Sequence, residues 1–183
     1  TQNAGRAIEW AMHLFGEKDF NDFDRILASV PPGSNGLTFL PYIEGERTPI
    51  WDPKARGVFF GISPLHRKEH FIRAAVEGVS YALRAILEVM RERAPIHDLR
   101  VIGGGGQSEY WQQMLADILE VRIQILSTQS ADATSLGAAI AAGVGIGLYK
   151  SLEDGCRSIR IEQERSPERQ YKGEYDRAYS LYS

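Results

Sequence analysis

The stretch that most constrains the fold lies between residues 99 and 144, where the hydrophobic pattern changes period repeatedly. Leu99-Arg100-Val101-Ile102 reads as a strand and Gly103-Gly104-Gly105-Gly106 as a turn. Residues 108–119 read as a helix that turns Trp111, Leu115, Ile118 and Leu119 inward. Residues 121–126 form a second strand and 127–132 a polar loop. A helix of very small residues follows, from Asp132 or Ala133 to Val144. Strands alternating with helices imply parallel pairing, so the fold class is α/β with layered packing.

The glycine run sits between a strand and a helix. Without side chains its backbone can take positive φ and come close to a ligand. The helix that follows aims unpaired N–H groups at the turn, and Ser108 can cap it or offer a hydroxyl. The pattern suits a phosphate or a nucleotide, and equally a tight turn with no ligand. It is not a Walker loop, because no Lys-Ser or Lys-Thr follows at the needed spacing. It is not GxGxxG either, since Glu109 stands where the third glycine belongs. The next strand ends in Leu126-Ser127-Thr128, with no acid placed for a ribose, which disfavours a dinucleotide fold.

Elsewhere, residues 4–15 read as a helix with Ala7, Trp10, Ala11 and Leu14 on its apolar stripe, Asn3 as N-cap and Gly16 as stop. A polar, turn-rich segment precedes the Pro31–Gly36 loop, which reads as a connection inside one domain rather than a linker. Short strands are expected at 37–40 and 57–62. The longest helix is expected at 68–93, with Ile72, Ala75, Val76, Val79, Leu83, Ile86, Leu87 and Met90 along one face. Residues 162–183 carry Tyr171, Tyr175, Tyr179 and Tyr182 and read as a terminal helix packed on the body. The small-residue run Ser135–Gly143 suits either a helix under a ligand site or plain close packing.

Other candidate chemistry is thin. His66-Arg67-Lys68-Glu69-His70 matches H-x-x-E-H, but no third zinc ligand is evident, and the pair reads as solvated. Arg73 and Glu77 form an i,i+4 pair, with a mid-helix catalytic acid as the less favoured reading. Asp52 reads as a turn residue and Cys156 as a small core residue. The chain holds 21 Lys+Arg against 24 Asp+Glu, a net charge of −3, which disfavours nucleic acid as a partner. No apolar run approaches the length of a membrane span, no signal peptide is evident, and the single cysteine suits a reducing cytoplasm. The chain starts at Thr1 rather than Met, which suggests a fragment or a processed chain.

Three segments together resemble one family. GVFFGISPLHRKEHFIRAAVEG is similar to the second signature of the FGGY carbohydrate kinases. GGGGQSEYWQQMLADIL resembles their nucleotide-site loop and the helix after it, and LPYIEGERTPIWDPKARG the segment leading into the signature. GERTP and GGGGQSEYWQQMLADI look most like xylulokinases; HRKEHFIRA and Trp51-Asp52 also look like some gluconokinases. The resemblance implies an actin-like ATPase fold, with ATP and Mg2+ in the cleft of a two-domain sugar kinase. Residues 1–160 would be its C-terminal ATP-binding domain, without that domain's first strands, and 161–183 a helical tail. Gly104, with Gly105 beside it, and Ser108 would touch the nucleotide, as would Gly5 and Glu9 of A-G-x-x-x-[QE]-W. No residue matches the general base, so catalysis needs the N-terminal kinase domain as partner, and this chain alone should be inactive. A pentulose such as D-xylulose is the expected substrate. A non-catalytic nucleotide-binding module or subunit is the alternative, and exposed Tyr and Trp residues leave room for a homodimer.

Overall fold

The computed structural model describes residues 4–102, 107–126 and 130–183, without the side chains of 130–133. The expected N-cap Asn3 and the glycine run 103–106 lie outside the described residues. Helix α1 spans Ala4–Leu14, α2 Phe23–Ala28 and α3 Lys68–Arg91. Helix α4 spans Glu109–Leu119, α5 Ser130–Gly145, α6 Leu152–Cys156 and α7 Lys172–Tyr182. The strands are β1 Thr38–Leu40, β2 Val58–Phe60, β3 Asp98–Val101, β4 Arg122–Leu126 and β5 Ile161–Arg165.

The β3-α4-β4 unit has the form expected. β3 and β4 pair in parallel, Leu99 opposite Ile123 and Val101 opposite Ile125, with α4 as the crossover. β5 pairs antiparallel with the other edge of β4, which leaves β4 in the centre with Ile123 and Ile125 buried. The segment from 161 therefore begins as a strand that completes the sheet, and the boundary expected at 160 cuts through that sheet. Only from Lys172 is the tail an α-helix, which buries Tyr175, Ala178 and Tyr182. The buried Tyr182 and Tyr42 hydroxyls are hydrogen-bonded at 2.6 Å.

α3 is the central element, packed by α1, α2, α4, α7 and the β1–β2 ribbon. It comes so close to β1 that a Cβ on Gly78 would lie 2.1 Å from the Phe39 carbonyl oxygen. α1 is rotated from the expected stripe. Its core face is Ala7, Ile8, Ala11 and Met12, while Trp10 is half-exposed and stacks on Phe39 at 6.0 Å, and Leu14 is exposed. α5 buries Ile140 but leaves most of its small residues exposed. Of its two readings, close packing holds at Gly143, where a Cβ would lie 2.7 Å from the Tyr149 ring. Cys156 is half-buried rather than core.

Inside the core lies the i,i+4 pair expected of Arg73 and Glu77. Arg73 is fully buried and Glu77 is 1% exposed. Arg73 Nε donates to Glu77 Oε1 at 2.8 Å, and its Nη1 donates to the carbonyls of Leu27 and Val30 at 2.6 and 2.7 Å. The same guanidinium reaches the hydroxyls of Tyr110 at 2.8 Å and Tyr175 at 3.0 Å. Glu77 also accepts the Gly33 amide at 3.0 Å and the Ser34 hydroxyl at 2.9 Å. Burial pushes the Glu77 carboxyl upward, and Arg73, Ser34 and Gly33 draw it back. Burial works against the Arg73 charge too, but Glu77 and the tyrosines outweigh it and hold it protonated. The 31–36 loop is thus tied into the same body as α3, as expected of an internal connection.

Three substitutions test this packing. Gly78→Ala forces backbone apart at the α3–β1 contact and should cost about 3 kcal/mol in urea unfolding. Glu77→Ala strands a buried guanidinium and should cost about 3–5 kcal/mol. Glu77→Gln should cost less, because its carbonyl oxygen can still accept from Arg73 and Gly33.

Candidate functional site

A cleft of about 850 Å³ opens where α1, α2, the end of β3 and the start of α4 meet. Gly5 and Ile8 supply the α1 wall, and Phe20, Asn21 and Asp24 the wall around α2. Arg100, Val101 and Ile102 come from the end of β3, and Gln107, Ser108, Trp111 and Leu115 from the start of α4. Its position at the carboxyl end of a parallel strand is where α/β sheets bind ligands. Its walls are mostly apolar, with a few polar groups, as suits a flat base or another largely uncharged ligand.

The N-terminus of α4 is built as expected in one respect and differently in another. Ser108 is the N-cap, and its hydroxyl oxygen accepts the Trp111 amide at 3.0 Å. Its own proton, however, is donated to Asp24 Oδ1. The second Asp24 oxygen accepts the Tyr110 amide at 3.3 Å. Two of the helix's N-terminal donors are therefore already satisfied from within the protein, and a carboxylate stands where sequence reading allowed an incoming anion. That arrangement opposes a phosphate at this spot.

Trp111 is fixed from behind. Its indole N–H donates to Ser80 Oγ at 3.1 Å, and the Ser80 hydroxyl donates to the Val76 carbonyl at 2.8 Å. Phe23 meets the Trp111 ring edge-on at 6.5 Å. Phe20 is half-exposed at the rim.

Of the sequence-predicted residues, Gly5 and Ser108 meet in this one cleft although they come from distant segments. A Cβ on Gly5 would meet nothing within 4 Å, so the space above it is open. Glu9, one turn on, is exposed and does not line the cleft. Gly104 and Gly105 lie outside the described residues. Asp24 and Asn21 also line the cleft, although they sit in the segment read as a polar turn, where nothing local marks either of them or ties Asp24 to α4.

The remaining candidates have structural partners. Glu77 is held in the buried cluster. Asp52 Oδ1 accepts the Lys54 amide at 2.7 Å, as befits a turn residue. His66 and His70 have ring centroids 5.5 Å apart, and each Nδ1 accepts a backbone amide, from Ser63 at 3.0 Å and Arg67 at 3.2 Å. Among the described residues no three His, Cys, Asp or Glu side chains are grouped as metal ligands, and no helix is long and apolar enough to cross a membrane.

With this geometry in view, the comparison with known proteins is direct. The C-terminal domain of the FGGY family of carbohydrate kinases matches residues 1–146. The chain belongs to that family, and its fold is that of the family's actin-like C-terminal domain. Xylulose kinase from Staphylococcus epidermidis is 37% identical over 185 residues, covering 100% of this chain and 37% of that protein. Gluconokinase from Bacillus subtilis is 40% identical over 148 residues, 80% of this chain and 27% of that protein. Among solved structures, a ligand-bound xylulose kinase from Lactobacillus acidophilus superposes with a TM-score of 0.88 at 29% identity, covering 98% of this chain and 37% of that one. The gluconate kinase of the same organism gives 0.87 at 28% identity and the same coverage. The chain thus covers only 27% to 37% of the length of these relatives.

Proposed function

We propose that this chain is the nucleotide side of an ATP-dependent sugar kinase similar to xylulose kinases, in which the cleft between α1 and α4 holds the nucleoside end of ATP. The observation that carries the reading is the convergence of Gly5 and Ser108 on one largely apolar cleft in a chain of this family. The whole kinase would move the γ-phosphate of ATP to a sugar hydroxyl, mostly by positioning and charge neutralisation. The general base that takes the hydroxyl proton has no match in this sequence, so the chain alone turns nothing over. In this reading ATP is used with Mg2+, as the family resemblance implies.

Xylulose is favoured over gluconate because a xylulose kinase matches 100% of the chain at 37% identity, whereas gluconokinases match 98% of it at 34% or 80% of it at 40%. The reading places the kinase in the cytoplasm, in keeping with its lone Cys156, and allows a homodimer through its exposed aromatic residues, Trp51 and Phe60 among them.

Gly5→Val is the direct test of the cleft. Its side chain enters open space, so stability should change by less than about 1 kcal/mol. Calorimetric ATP affinity should fall at least about tenfold; unchanged affinity would sink the site. For the substrate, a kinase containing this chain together with the N-terminal domain should phosphorylate xylulose faster than gluconate, ribulose or glycerol. Preference for gluconate would replace the xylulose reading with the gluconokinase one.

A further inference from the structure

Asp24 lines the cleft, yet both of its oxygens are spent on the first turn of α4. One accepts the Ser108 hydroxyl and the other the Tyr110 amide at 3.3 Å. Ser108 in turn accepts the Trp111 amide at 3.0 Å, and the Trp111 indole is anchored on Ser80 at 3.1 Å. A chain of hydrogen bonds therefore runs from α2, through the N-cap of α4, to α3. It crosses 84 residues of sequence at its first step. The carboxylate bonds are charge-assisted, and one rigid group receives both, so the α2 and α4 walls are set in one fixed relation.

We propose that Asp24 is a positioning residue for nucleotide binding, acting through Ser108 to fix the α4 wall against α2. This rests on the reading of the cleft as a nucleotide site. Asp24 also sets which end of the nucleotide enters. Its charge repels phosphate, and it occupies donors that a phosphate would use, so the nucleotide lies with its phosphates turned away from α2.

The test uses the 183-residue chain, with ATP and adenosine titrated calorimetrically against wild type, Asp24→Ala, Asp24→Asn, Ser108→Ala and the Asp24→Ala/Ser108→Ala double variant. Asp24→Ala should weaken adenosine about tenfold and ATP by less, because the repulsion on its phosphates is lost with the carboxylate. It should add little once Ser108 is already alanine, because the two act as one unit. Asp24→Asn should keep part of the affinity, since its carbonyl still accepts from Ser108 while its amide cannot accept from Tyr110. Unchanged affinity in Asp24→Ala overturns the proposal. So does tighter ATP binding with adenosine unchanged, which would mean that the carboxylate acts only through its field. Amide exchange gives a readout that needs no ligand. Tyr110 and Trp111 should exchange faster in Asp24→Ala while the amides of α3 stay protected. If wild type binds neither ligand, the nucleotide reading fails on its own account. Exchange then judges the positioning of α4 separately: faster exchange upholds it, and unchanged exchange overturns it.

Discussion

The buried pair of Arg73 and Glu77 is the interaction on which the rest of the structure hangs. Two charges removed from water are costly, and their attraction alone seldom repays the loss. Here the cost is offset because each group is fully engaged. The guanidinium meets the Leu27 and Val30 carbonyls, the Tyr110 and Tyr175 hydroxyls and Glu77; the carboxylate also meets Gly33 and Ser34. A single side chain of α3 thereby fixes the end of α2, the first turn of α4, and α7. A hydrophobic pair in the same place would fill the volume but could not select these partners, so the pair contributes register more than net stability.

That register reaches the cleft. Leu27 lies in the last turn of the helix that carries Asp24, and Tyr110 lies two residues after Ser108. The same core group therefore positions both walls from behind, while the Asp24–Ser108 contact joins them at the mouth. Sequence reading allowed a phosphate at the start of α4. The structure puts a carboxylate there, which moves the expected contact toward the uncharged part of a nucleotide. In the proposed reading, this chain would grip the nucleoside and leave the sugar and the base chemistry to the other domain.

Much of the fold was legible because it rests on strong local patterns. The β3-α4-β4 unit has clear period changes, and α3 has a long 3.6-residue stripe. Other parts depend on distant partners. α2 is only six residues long, and its buried Phe23, Ile26 and Leu27 are too few to stand out in a polar segment. β5 has the charged sequence Ile-Glu-Gln-Glu-Arg with no alternation, because it is an exposed edge, and only β4 makes it a strand. The face of α1 was misjudged because Trp10, its largest apolar residue, stacks over Phe39 at the rim, so that Ile8 and Met12 fill the core. For the site, motif resemblance points to Gly5 and Ser108, which line one cleft, and to Glu9, which is exposed and does not line it. It offers no pointer to Asp24, whose partner lies 84 residues along the chain.

The central claim is that this cleft receives the nucleoside end of ATP. The most direct measurement is backbone and indole NMR of the 15N-labelled chain titrated with adenosine and then with ATP. The account predicts that both ligands shift the same set of signals: the amides of Gly5, Asn21, Asp24 and Gln107 and the indole of Trp111. Shifts confined to residues outside the cleft, or produced by ATP and inorganic triphosphate but not by adenosine, would contradict it.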